Sequence, residues 1–255
     1  MEVCLRLVLL AVSLCLIAMG AKAEENPTGQ DPIKVLFIGN SLTFYNDLPA
    51  MVEYLAGHAP SPRTIEVDSV TVPGVTLEKH WLKGVAQKKI QEGGWDYVVL
   101  QGQSLEAITQ PESFFHNVRL FDAEIRKSGA KTLLYMTWAL RKTPEQQAGL
   151  TAAYRRIGKE LGARVIPVGV AREILLKRHA DAPFYLPDGK HPSPHGSYLA
   201  ACLFHAALTG QSPKGLPALV PKAGNEQKLL ASLTPEEALE YQGIAEEVLK
   251  AEVAQ

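Results

Sequence analysis

The chain has 255 residues, 46% apolar and 21% charged, with a formal net charge of −1. That composition fits a globular protein with a large core and excludes a disordered or collagen-like chain. With 26 basic against 27 acidic residues, binding of nucleic acid by general phosphate neutralisation is also excluded.

Residues 7–19 form a 13-residue apolar run, short of the roughly 20 residues that a membrane-spanning helix needs. Ala21-Lys22-Ala23 follows as a small-x-small cleavage pattern. Residues 1–23 therefore read as a secretory signal peptide and residues 24–255 as a single mature domain, secreted or periplasmic, with no stable membrane insertion. A retained anchor is the alternative. A lipoprotein is disfavoured, because Leu14 precedes Cys15 where a small residue belongs. Three cysteines, Cys4, Cys15 and Cys202, cannot build a disulfide framework. The last of them sits in the apolar helical stretch 198–204 and reads as a small buried hydrophobe.

After a polar lead-in, short β-branched runs alternate with helical patterns. The runs are Ile33–Ile38, Thr64–Thr71, Tyr97–Leu100, Thr132–Thr137 and Arg164–Val168. Most are almost continuously apolar, as strands buried on both faces of a parallel sheet must be; the second alternates and suits an edge. Leu77, Trp81 and Val85 recur at helical spacing, and Phe114, Val118, Phe121 and Ile125 share another helical face. Thr143-Pro-Glu-Gln146 predicts an N-cap and helix start running toward Leu161, and Thr234-Pro-Glu-Glu237 predicts another, ending near Val253. Between them, residues 210–224 carry Pro and Gly without periodicity and read as a surface excursion. This alternation predicts one α/β domain, a three-layer αβα sandwich with a central, mainly parallel five-stranded sheet. Ligands of such sheets bind at the carboxyl ends of the strands.

Two segments at such positions carry reactive groups. Gly39-Asn40-Ser41 follows the first strand, and the helix start behind it favours negative charge. Asp188-Gly-Lys-His191 lies in a loop before an apolar helix. A serine hydroxyl needs a base to take its proton, and the base needs a carboxylate on its other ring nitrogen. One D-x-x-H loop can supply both. Each segment alone also reads as an ordinary polar turn. A metal site on His191 and His195 is disfavoured, because Pro192 and Pro194 forbid the helix that would align both rings. No cofactor is expected.

Together, Gly39-Asn-Ser41 and Asp188-Gly-Lys-His191-Pro-Ser-Pro-x-Gly-Ser-Tyr198 resemble the SGNH hydrolases, the GDSL-type esterase/lipase superfamily with a flavodoxin-like fold. The resemblance implies Ser41 as nucleophile, His191 as general base and Asp188 as its partner. It also implies an oxyanion hole built from the Ser41 N–H and from Gly74, in Thr71-Val-Pro-Gly-Val-Thr76. The family's third block, G-x-N-D, is replaced here by Gln101-Gly-Gln-Ser-Leu105, which puts Ser104 where the Asn belongs. Q-G-x-S is similar to the Q-G-E-S segment of SGNH carbohydrate acetylesterases related to sialate O-acetylesterases, so an amide from Gln101 or Gln103 would stand in for the Asn. The resemblance implies a serine esterase acting on small acyl esters, including O-acetylated glycans. The alternatives are a lipid or aryl esterase, or a non-catalytic glycan- or anion-binding protein on the same fold.

Overall fold

A computed structural model of the chain describes residues 30–253; the expected signal peptide lies outside the described residues. Five strands form one sheet: β1 (Ile33–Gly39), β2 (Ile65–Thr71), β3 (Tyr97–Leu100), β4 (Lys131–Tyr135) and β5 (Arg164–Ile166). Their order is β2-β1-β3-β4-β5, and every pairing is parallel. The alternating run, β2, is an edge. Because β1 lies between β2 and β3, chain direction diverges there, and a crevice opens past the carboxyl ends of β1 and β3.

Ten helices accompany the sheet among the described residues: α1 (Ser41–Phe44), α2 (Leu48–Gly57), α3 (Leu77–Lys83), α4 (Val85–Gln91), α5 (Glu106–Thr109), α6 (Pro111–Lys127), α7 (Gln147–Leu161), α8 (Val168–Arg178), α9 (Pro194–Thr209) and α10 (Pro235–Val253). Alternate residues of β1 divide the core between two layers, as strand periodicity demands. Val35 and Phe37 pack toward α2, α8, α9 and α10, while Leu36 and Ile38 pack toward α3, α4, α6 and α7. Helix α9 is buried almost all round, from Gly196 to Leu208, which is why its sequence shows no polar face. Cys202 is fully buried within it, and burial pushes its thiol pKa up.

Three expectations about local structure change. The face Leu77–Trp81–Val85 is not one helix: Gly84 turns left-handed, α3 ends there, and Val85 is 56% exposed. The surface excursion contains a strand, β6 (Leu219–Lys222), paired antiparallel with β7 (Asn225–Ser232). Pro221 interrupts the ladder with register shifts, so the usual alternation is hidden. The Thr143 start opens a short 3-10 turn before α7, and its hydroxyl bonds the Gln146 side chain rather than the backbone. At α10, by contrast, Thr234 and Glu237 exchange reciprocal side-chain to backbone hydrogen bonds, a complete capping box.

His205, on α9, is fully buried, and neither ring nitrogen has a hydrogen-bond partner. Burial pushes its pKa down to about 4. Burial also lowers that of His80. Between pH 6.5 and 4 the unfolded chain binds a proton at His205 that the folded chain refuses, so stability falls as pH falls through this window, and His80 acts in the same direction. Denaturant unfolding should show a His205-dependent loss of about 3 kcal/mol across it. His205→Leu should flatten the slope, leaving the share of His80; an unchanged slope would contradict this assignment.

Candidate active site

The sharp turn after β1 begins with a glycine for lack of space. A Cβ on Gly39 would stand 2.5 Å from Gln101 Oε1 and 2.7 Å from Thr43 Oγ1. Asn40 then caps α1, its side chain accepting from the Leu42 N–H at 3.1 Å. Ser41 follows as the first residue of α1, 6% exposed, so its N–H has no intrahelical partner.

The Asp-His loop arrives from the other end of the chain. It is a short hairpin in which Tyr185 pairs with Pro192 and Leu186 N–H donates to the His191 carbonyl. The segment after β4 clamps its outer side. Trp138 Nε1 donates to the Lys190 carbonyl at 2.9 Å, Arg141 N–H donates to the Gly189 carbonyl at 2.9 Å, and the Tyr185 hydroxyl donates to the Ala139 carbonyl. Ser193 caps α9 at the loop's exit.

These two segments bring Ser41, His191 and Asp188 into one line. His191 Nε2 lies 2.9 Å from Ser41 Oγ, and His191 Nδ1 lies 2.5 Å from Asp188 Oδ2. The other carboxylate oxygen, Oδ1, accepts the N–H groups of Lys190 and His191 at 2.9 and 3.0 Å. Partial burial works to raise the Asp188 pKa, but the hydrogen bonds from His191 and the two backbone groups outweigh it and hold the carboxyl at about 2. Asp188 is thus a fixed negative charge at neutral pH, able to orient an imidazole and stabilise its protonated form. His195 does not join the line. It sits in the first turn of α9, with its Nε2 3.8 Å from Glu237 Oε2. No cluster of three or more His, Cys, Asp or Glu side chains suited to a metal occurs among the described residues.

Gly74 and the third block flank Ser41. Gly74 has φ +66° in a turn closed by Val75 N–H to the Val72 carbonyl, a conformation that a side chain would strain. Its own N–H makes no hydrogen bond among the described residues. Asn40 Nδ2 donates to the Val75 carbonyl at 3.0 Å, and His80 Nε2 meets the Gly39 carbonyl at 2.7 Å, so the turn and α3 are tied to the Ser41 turn.

Gln101 and Gln103, the two expected amide donors, differ. Gln101 is buried and faces inward: its Oε1 accepts from Asn40 N–H and Thr43 Oγ1, both at 2.9 Å. Its amide donates to Asn40 Oδ1 and to the Gly102 carbonyl, which consumes both hydrogens. Gln101 therefore has no free donor, contrary to the expectation that it replaces the third-block Asn; its hydrogen bonds join β3 to the turn that carries Ser41. The Gln103 side chain is half-buried and has no hydrogen-bond partner among the described residues. Ser104 is buried, its carbonyl accepting from Thr137 Oγ1.

Sequence reasoning missed Glu106, Trp138 and Tyr45. Glu106 is 1% exposed and accepts the Gln103 N–H at 2.7 Å. Burial raises its pKa, opposed in part by the backbone hydrogen bond from Gln103, so a buried carboxyl braces the third block. A carboxylate on a short amphipathic helix carries no sequence signal of burial. The Trp138 indole reads as core, and only its N–H contact with the loop reveals a second role.

No protein-family model matches the chain, and no curated protein does. Solved structures do. A protein from Slackia heliotrinireducens described as a candidate SGNH hydrolase is 26% identical, with a TM-score of 0.60, over 71% of this chain and 100% of that one. The chain belongs to the SGNH hydrolase superfamily. A DUF4886 family protein from Bacteroides uniformis shares the SGNH hydrolase fold of this chain at 18% identity and TM-score 0.65, over 86% and 95% of the two chains. An acetylxylan esterase from Geobacillus stearothermophilus does so at 16% identity and TM-score 0.58, over 73% and 98%. Among the described residues, no helix of this SGNH hydrolase is long and apolar enough to cross a membrane.

Proposed function

We propose that the protein is a serine ester hydrolase that transfers a small acyl group to Ser41 and then to water. The observation that carries this reading is the continuous hydrogen-bonded line from Ser41 Oγ through the His191 ring to Asp188. As Ser41 Oγ attacks the ester carbonyl, His191 Nε2 takes its proton, and Asp188 stabilises the imidazolium. The carbonyl oxygen becomes an oxyanion facing the N–H groups of Ser41 and Gly74, with the Gln103 amide as a third donor. The alcohol leaves with the proton from His191. Water, deprotonated by the same nitrogen, releases the acid and restores Ser41.

The substrate class we propose is acetyl esters of carbohydrates, met outside the cytoplasm once the leader has been removed. The Q-G-x-S segment, similar to that of SGNH carbohydrate acetylesterases, supports this, as does the fold shared with an acetylxylan esterase. The purified mature chain should hydrolyse p-nitrophenyl acetate, lose that activity as a serine-directed phosphonate labels Ser41, and prefer acetylated glycans to nitrophenyl esters of long acids. A preference for long acyl chains would favour a lipid esterase. Glycan binding with no turnover and no labelling would favour a binding protein.

A further inference from the structure

Between α1 and α2 the chain makes a sharp corner. Asn46 and Asp47 stand there in succession with φ +54° and +50°, the only non-glycine residues with positive φ among the described residues. Asn and Asp tolerate this region better than most, yet two in succession persist only where surrounding contacts enforce them. The contacts are visible. Asn46 Nδ2 donates to the Pro192 carbonyl at 3.1 Å and to Ser197 Oγ at 2.9 Å, which fastens the corner to the residue after His191 and to α9. The corner sets Tyr45 on the catalytic loop. Its ring lies against the His191 imidazole, with centroids 4.4 Å apart and planes 14° from parallel, and Phe44 stacks behind it at 5.5 Å.

We propose that Tyr45 is a positioning residue for His191, held over the imidazole by the Asn46–Asp47 corner. This rests on the esterase reading above and adds to it a group that the motif blocks do not contain. A proton shuttle must keep one ring nitrogen on Ser41 and the other on Asp188 while its charge changes. The hydrogen bonds to those two groups fix the ring within its plane but leave it free to tilt about the line joining them. A flat aromatic face on one side blocks that tilt. It also excludes water from that face, and its π density attracts the imidazolium more than the neutral ring. The positive ring exists only once the proton has moved, so the contact acts on the transition state and belongs in kcat rather than in KM.

The experiment pairs Tyr45→Leu, which fills the space without a π face, with Tyr45→Phe, which keeps it. With p-nitrophenyl acetate, Tyr45→Leu should lower kcat about 3- to 30-fold, the range of a cation–π contact, and change KM less than twofold. Tyr45→Phe should recover most of that rate. A second readout needs no turnover: the carbon-bound ring protons of His191 should show an upfield ring-current shift in wild type and Tyr45→Phe that Tyr45→Leu removes. Asn46→Gly, which keeps the left-handed corner but removes the tether, should weaken the shift and lower kcat together. Wild-type kcat in Tyr45→Leu, or an equal loss in Tyr45→Phe, would overturn the proposal. If the wild type turned over no ester, the esterase reading would fall and the ring-current shift alone would decide whether Tyr45 orients His191.

Discussion

Ser41→Ala and His191→Ala should each lower kcat by roughly 10⁴-fold or more, and the double variant should be scarcely worse than either single one. The non-additivity follows from the 2.9 Å contact between Ser41 Oγ and His191 Nε2. Without the imidazole the hydroxyl is a poor nucleophile, and without the hydroxyl the imidazole has no proton to take. His195→Ala should be mild by comparison, because that ring faces Glu237 from the first turn of α9. Steady-state kinetics on p-nitrophenyl acetate checks all four variants. Near-wild-type rates in Ser41→Ala would sink the assignment, and an equal loss in His195→Ala would mean that the base is the wrong histidine.

Gln103→Ala should lower kcat about 10²- to 10³-fold with little change in KM, the usual cost of removing one oxyanion donor. The charge that this donor meets appears only in the tetrahedral intermediate. Gln101→Ala should behave differently. It leaves the Asn40 N–H and the Thr43 hydroxyl without their shared acceptor in a buried site, so it should cost about 2 kcal/mol or more of stability along with activity. Thermal unfolding beside kinetics separates the two glutamines. If Gln103→Ala is silent while Ser104→Ala falls by the larger factor, Ser104 takes the place of the missing Asn. If both are silent, the hole consists of the two backbone donors.

What the sequence made legible follows a physical divide. The β-branched runs announce β1 to β5 because strands buried on both faces cannot be polar, and β2 betrays its edge position by alternating. Ser41 and the Asp188–His191 loop stand out because reactive groups clustered at strand ends need unusual local chains. The direction of the Gln101 side chain was not legible, since its partners Asn40 and Thr43 lie 61 and 58 residues away. Nor was the ring stack on His191, which depends on a left-handed corner that Asn46 and Asp47 permit without dictating. At Val85, periodicity alone carried a helix face across a glycine that ends it.

If Ser41 and His191 act as proposed, the 150 residues between them along the chain set the moment at which the site is complete. The turn that carries Ser41 follows the first strand and leaves the ribosome early. Its proposed base, His191, would be delivered only when α9, buried nearly all round, has packed beside the sheet with the loop that precedes it. On the proposed mechanism, a chain whose α9 had not docked would carry a serine without its base. On that mechanism, chemistry is thereby coupled to a long-range closure, and reactivity of Ser41 would report that the C-terminal third has arrived.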